Sequence, residues 1–222
     1  MKLWTATALA TTLLFACKKP LKCTDLDRDD TLRLGQEYNA GRDPCPGLTA
    51  PKLTLNAAGL SLDGVRLAGK PELPAGAVRR VDALFTQLKA RRESWKQMHA
   101  GANFAAKLDA DIADGVDAVA AASVLQTAAY AGFPTVHVHG GATPLDIVLY
   151  VPGPPKPGAP PATKLHVDDV AGVASAIAAQ CTPRCDAVFI QPRGTFGDTA
   201  RVVSAVLSAS PFAGNAPWIA LW

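Results

Sequence analysis

This chain of 222 residues lacks the glycine signatures of nucleotide chemistry. It contains no GxGxxG and no P-loop, so neither a dinucleotide nor a nucleoside triphosphate has its usual helix-entry cradle. It also contains no GxSxG, and an α/β-hydrolase nucleophile therefore lacks its strained elbow. Charge is sparse: charged residues make up 18% and the net charge is +3, too little to expect a nucleic-acid partner. Long apolar runs are missing as well. The N-terminal stretch Leu3 to Ala16 is about 14 residues, short of the roughly 20 that span a bilayer. A calcium loop fails in the acidic run Asp25, Asp27, Asp29, Asp30: its sixth position is Asp30 instead of glycine, and Gln36 stands where the closing Glu belongs. What remains is a body with 49% hydrophobic residues, apolar enough to fold.

The N-terminus is the most specific feature present. Lys2 forms a minimal positive region, Leu3 to Ala16 an apolar one, and Ala16 is the small residue that export cleavage sites require. Leu14-Phe15-Ala16-Cys17 resembles the lipobox of bacterial lipoproteins, with Phe15 departing from the small residue usual there. The resemblance implies cleavage after Ala16 and a diacylglyceryl thioether plus an amide-linked acyl chain on Cys17. Several acyl chains on one residue make a stable anchor where a single chain binds only marginally.

Removal of 16 residues leaves roughly 200, enough for one sizeable core or two small ones. With Cys17 acylated, Cys23, Cys45, Cys181 and Cys185 remain, an even set suited to an oxidising exported compartment. Three pairings are open; the sequence-local one joins Cys23 to Cys45 and Cys181 to Cys185. Zinc is the rival, but Cys181-Thr-Pro-Arg-Cys185 has no neighbouring His and is not a CxxC.

From Lys18 to about Ala50 the chain is polar and reads as a tether. Leu53 to Asn56 is a predicted strand, and Leu60 to Leu62 turns through Asp63-Gly64 into Val65 to Leu67 as a hairpin. Val78, Val81, Leu84, Phe85, Leu88 and Trp95 recur at helical spacing, predicting a helix over 78–95. A strand from Phe104 to Asp109 follows, then an alanine-rich helix from Gly115 to Ala131 capped by Asp114, and a strand from Pro134 to His139 ended by Gly140-Gly141. The second half repeats this plan with a strand at Asp146 to Val151, a helix at Val167 to Ala179, a strand at Asp186 to Gln191, a helix at Asp198 to Ser208 and a strand at Trp218 to Leu221. A self-match at a shift of 82 positions aligns Ala118 with Ala200 and Ala131-Gly132 with Ala213-Gly214. Pro152 to Pro161 cannot pair in a sheet and reads as a stiff PPII-like spacer.

Ala105-Ala-Lys-Leu-Asp-Ala-Asp111, the following helix, and Gly132-Phe-Pro-Thr-Val-His-Val138 together resemble the periplasmic domain of the ExbD/TolR family. Gly59-Leu-Ser-Leu-Asp-Gly-Val65 and the helix with Leu84 and Leu88 match its layout, from Leu53 to about Gly141. The resemblance implies an α/β (α+β) fold of two similar units, each with two helices packed on a small mixed sheet. Together with the lipobox, it divides the chain into a signal peptide (1–16), a lipidated tether (17–50), an ExbD/TolR-like unit (51–142) and a second similar unit (143–222) that holds the Pro-rich loop at 152–161. It also implies envelope partners of ExbB/TolQ and TonB/TolA type, in the periplasm or exterior, at the cell membrane or the outer membrane. The family's transmembrane helix with an essential acidic residue has no counterpart, since nothing between Met1 and Cys17 is acidic.

Chemistry-bearing residues are few. Asp109 and Asp111 share a strand face near Asp114 and read as polar residues at a strand exit followed by a cap. His137 and His139 have the alternation of metal ligands, with His99, His166 or Asp111 as third partners; the plainer reading is two strand histidines. Arg79, Arg80, Lys89, Arg91, Arg92 and Lys96 form a basic stripe that suits a solvated face, a lipid surface or peptidoglycan. The expectation is a non-enzymatic, lipid-anchored envelope protein without metal or cofactor, associating with an envelope partner and, through its two units, as a homodimer or an intrachain pseudo-dimer. An exported metal protein or enzyme using His137 and His139, and a structural lipoprotein touching the cell wall, are the alternatives. Cys17→Ala is expected to release the protein from the membrane fraction and to remove the acyl mass. Fractionation with intact-mass analysis checks this, and an acylated, membrane-bound variant would overturn it.

Overall fold

A computed structural model of the chain describes residues 50–98, 107–140, 144–151, 164–167, 170–181, 187–209 and 217–222. The predicted signal peptide, the predicted tether up to residue 49, Cys17, Cys23, Cys45, Cys185, His99 and the Pro-rich stretch 152–161, expected to be a loop, lie outside the described residues.

The first sheet has six strands in the order β3-β2-β1-β4-β5-β6. These are β1 (Lys52–Asn56), β2 (Gly59–Leu62), β3 (Val65–Gly69), β4 (Lys107–Ile112), β5 (Thr135–His139) and β6 (Leu145–Val148). β1, β4 and β5 run parallel, while β2, β3 and β6 pair antiparallel at the flanks. Asp63 and Gly64 turn the β2–β3 hairpin with φ of 47° and 80°, the doubly positive turn that the Asp-Gly pair predicts. Asp63 also ties the sheet together: its Oδ1 accepts from the Lys52 N–H at 2.7 Å, and its Oδ2 pairs with Arg91.

Helix α1 (Asp82–Met98) precedes β4, and α2 (Ala118–Tyr130) joins β4 to β5. Because a strand alternates its faces, Leu53, Leu55, Leu108, Ala110, Ile112, Val136 and Val138 fall on one side. They form one core cluster with Leu84 and Leu88 of α1 and Ala121, Val124, Leu125 and Ala128 of α2. β4 runs three residues past the predicted end at Asp109, since Ala110 and Ile112 pair with Leu53 and Leu55 of β1. Asp109 and Asp111 are therefore inside a strand and not at its exit.

The second sheet, β7 (Lys164–Val167), β8 (Ala187–Ile190) and β9 (Trp218–Leu221), is all parallel where a mixed sheet was expected. Its helices are α3 (Val170–Gln180) and α4 (Phe196–Ser208). The predicted helix at 167 begins at Val170, because Leu165 and Val167 pair with Val188 and Ile190. β6, assigned from sequence to the second unit, belongs to the first sheet, and the two sheets meet where Leu149 bridges Ile219 and the Tyr150 N–H donates to the Ile219 carbonyl at 2.7 Å. One core cluster runs through both halves, taking in Val173, Ile177, Val188, Val203, Val206 and Ile219. Cys181 is buried and disulfide-bonded; every other cysteine lies outside the described residues.

Helix α2 holds the halves together. Asp117, and not Asp114, is its N-cap and accepts from the Ala120 N–H at 2.9 Å. Asp117 also bridges Thr195, the N-cap of α4: Ala118 N–H donates to the Gly194 carbonyl at 3.0 Å and Phe196 N–H to the Val116 carbonyl at 2.7 Å. The two helix starts thus correspond at a shift of 78 positions. The self-match at 82 is about one helical turn out of step, an error that two alanine-rich helices invite. At its other end α2 closes with Gly132 at φ 99°, where Phe133 N–H reaches back to the Ala128 carbonyl at 2.9 Å.

Eleven residues of α2 are buried, including Ser123, Gln126 and Thr127. Each of these polar groups closes a backbone gap in a neighbouring segment. Arg79 N–H donates to Ser123 Oγ at 3.0 Å, Val81 N–H to Thr127 Oγ1 at 2.9 Å, and Gln126 Nε2 to the Tyr150 carbonyl at 2.7 Å. Thr127→Val keeps the shape and orphans the Val81 N–H. It is expected to cost about 1–3 kcal/mol, read as a lowered denaturant midpoint at unchanged slope; a midpoint equal to the parent's would remove this bond from the account of stability.

Candidate functional sites

Two places gather chemistry. The first is the face of the first sheet opposite its helices. His137 and His139 alternate onto it from β5, and strand register places Asp109 of β4 and Asp146 of β6 on either side of His137. His137 Nδ1 lies 2.6 Å from Asp146 Oδ1, and His139 Nε2 lies 2.8 Å from Asp109 Oδ1. The imidazoles meet edge to face with centroids 4.3 Å apart. His137 and Asp109 side chains are 16% and 15% exposed, whereas His139 and Asp146 are about half exposed. The cluster is thus rooted in the sheet and open on top.

This arrangement corrects the sequence reading in two respects. Asp111, opposite His139 in register, is exposed and makes no hydrogen bond to either histidine among the described residues. His166 stands apart in the second sheet, stacked on Phe189 at 5.3 Å and edge-on to Trp222 at 5.2 Å. The carboxylates that do meet the histidines were missed, although Asp109 and Asp111 alternate as His137 and His139 do. That shared spacing of two was the available signal; the pairing of β4 with β5 turned it into contact.

The second place is a cleft of about 520 Å³ between the halves, walled by the 76–80 segment, α2 and the ends of β8 and β9. Tyr150, Phe189 and Trp222 give it an aromatic wall, and Arg79 and Arg80 also line it. Tyr150 sets its edge against Phe189 at 5.8 Å and Trp218 at 6.2 Å. Gln126, only 7% exposed, lines it with an Oε1 that has no hydrogen-bond partner among the described residues. Among the described residues that line the cleft there is no Asp, Glu, His or Cys. Its polar groups, Ser123, Gln126, Thr127 and Gln191 among them, can orient a ligand by hydrogen bonding.

The basic stripe divides. Arg80 pairs with Asp82 at 2.7 Å and lies 4.8 Å over the Phe85 ring, and Lys89 approaches the same ring at 6.0 Å. Arg91 is held by Asp63, and Arg92 runs across Gly132, where a Cβ would meet its Cδ at 2.7 Å. Arg92 thereby places a cation at the C-terminal end of α2, where the helix dipole favours it. The cations at 91 and 92 fasten the fold, so the stripe is no uniform solvated face.

At the start of α4, Asp198 completes a capping box with Thr195, accepting from its N–H at 2.8 Å and its hydroxyl at 2.7 Å, beside Arg201. The Thr195 backbone hydrogen bond, then its side chain, then Arg201 hold the Asp198 carboxyl below its ordinary value of 3.8. No protein-family model, no curated protein and no solved structure matches this chain. A lowered folded-state pKa supplies stability that is present above the ordinary carboxyl range and lost as pH falls through the lowered value. Asp198→Asn is accordingly expected to melt below the parent at neutral pH and to converge with it in strong acid. A gap between the two melting temperatures that stays constant with pH would refute this role.

Proposed function

We propose that this chain is a lipid-anchored cell-envelope binding protein with no catalytic activity, an accessory in envelope energy coupling or transport that has no proton path of its own. Its membrane attachment is Cys17, and its body binds a segment of an envelope protein. The cleft between the halves carries this reading. It combines an aromatic wall, two arginines and a buried amide, which suits recognition of an apolar chain bearing an anionic group, and its described lining holds no acid–base pair.

The order of elements gives further support. Strand, hairpin, α1, strand, α2, Ala131-Gly132 and strand follow one another over 52–139, which is the layout that the ExbD/TolR resemblance implies. In this reading the second half is a similar unit fused to the first as an intrachain pseudo-dimer, with the α2 and α4 N-caps paired across the join. A role in wall contact through the basic helix is less well supported, because Arg91 and Arg92 are engaged by Asp63 and Gly132.

Tyr130 lines the cleft and is 49% exposed, while Val65, 65% exposed, sits at the hairpin and does not line it. A photo-crosslinking residue at 130 in intact envelopes is expected to give one discrete protein adduct, and the same residue at 65 none. Arg79→Glu, at a guanidinium with no ion-pair partner among the described residues, should reduce that adduct about tenfold, equivalent to ~1.4 kcal/mol. An adduct indifferent to Arg79→Glu, or equal labelling from both positions, would overturn the assignment.

A further inference from the structure

We propose that Asp109, His137 and His139 form a binding site for a divalent transition-metal ion of the zinc type on the open face of the first sheet. One ligand atom from each residue lies within 4.8 Å of the others. Two imidazoles and one carboxylate around a tetrahedral ion, with metal–ligand bonds of about 2.0–2.2 Å, stand roughly 3.3 Å from one another. His139 Nε2 and Asp109 Oδ1 are already at 2.8 Å; the proton that Asp109 accepts there must pass to water while Nδ1 takes one, so that Nε2 and the carboxylate are both free to ligate. The remaining edges close by at most about 1.5 Å to reach that spacing, since none exceeds 4.8 Å.

Asp146 is the element that turns a pair of histidines into a ligand set. A carboxylate only accepts hydrogen bonds, so its 2.6 Å contact to His137 Nδ1 places the ring proton there. The Nε2 lone pair is then left for a metal. This is the carboxylate–histidine–metal relay that orients ligating imidazoles and raises their basicity. Sheet register builds it, since Asp109, His137 and Asp146 occupy one cross-strand row over β4, β5 and β6. His139 completes the set from two residues along β5, on the same face.

The donor set selects the class of ion. Calcium and magnesium take oxygen ligands, six or more of them, and this cluster offers one ligating carboxylate. Two imidazoles with a carboxylate suit zinc, cobalt, nickel or copper, and three protein ligands leave a fourth position open to water. His139 and Asp146, about half exposed, mark the solvent side as the entry path. This site is separate from the cleft between the halves and does not depend on the reading of that cleft.

The test is titration of the purified full-length protein with zinc chloride alone, followed by calorimetry, with calcium chloride as the control ion and Co²⁺ absorption as the reporter of geometry. One equivalent of zinc with no calcium uptake, and intense visible Co²⁺ bands of tetrahedral type, are the expected results. His139→Gln, at a half-exposed position that the fold tolerates, should weaken binding at least 30-fold, and Asp146→Asn by about 10–100-fold as loss of an orienting carboxylate does. A zinc stoichiometry far below one, or affinity unchanged in His139→Gln with a parental circular dichroism spectrum, would overturn the proposal. Calcium binding with equal affinity would overturn the assigned class of ion.

Discussion

Everything in this structure is arranged around a helix that is buried on nearly every side. α2 packs against α1, α4 and β9 and shares one core cluster with β4 and β5, and its many alanines let so many neighbours approach one axis. Such a helix cannot hide its neighbours' backbone groups from water without replacing their hydrogen bonds. Ser123 and Thr127 do so, because their hydroxyls donate to carbonyls within α2, Val119 at 2.7 Å and Ser123 at 2.6 Å, and still accept from Arg79 and Val81 N–H. The net gain per bond is about 1 kcal/mol, whereas an orphaned buried N–H costs about 1–3 kcal/mol. The constraint is therefore steep, and it fixes the path of the 76–81 segment along the helix. That segment becomes one wall of the cleft.

The same helix makes the two halves one body. Its N-cap is set by pairing with the N-cap of α4, and Gln126 in its middle holds the Tyr150 carbonyl where the two sheets meet. The cleft opens where this join leaves space, between parts of the chain that neither half supplies alone. A site of this kind arises at an interface between two layers of structure, as ligand sites commonly do. The Asp/His cluster depends on α2 differently. The helix shares a core with one face of β4 and β5, so their alternate residues are left on the other face, where Asp109, His137, His139 and Asp146 meet one another.

Much of the fold was legible in the chain. The Asp63-Gly64 hairpin, the helix carrying Leu84 and Leu88, the alanine-rich helix ended by Gly132 and the strand Trp218–Leu221 all follow from local spacing and turn chemistry. The errors share one cause. β4 runs past its predicted end, β7 went unpredicted apart from Val167, which was read as the start of a helix, and the N-cap was placed at Asp114, because each is decided by a distant partner: β1 for β4, β8 for β7, Thr195 for Asp117. Alternation reveals that a strand exists, but a two-residue repeat cannot reveal where a neighbour begins to pair with it.

The candidate sites divide along the same line. The identities of His137 and His139, and their common face, are properties of the sequence, because the pleat alternates with a period of two wherever a strand forms. The Leu14-Phe15-Ala16-Cys17 segment, the low charge and the missing nucleotide and hydrolase motifs are sequence properties in the same sense, since each is read directly from the chain. Which carboxylates reach the histidines is not. Asp109 meets His139 across 30 positions and Asp146 meets His137 across 9 only because parallel pairing of β4 with β5 and antiparallel pairing of β5 with β6 set one common row. Local periodicity is a property of the backbone geometry of each segment, while juxtaposition depends on register and on the burial of α2, which exist only once the whole core has closed.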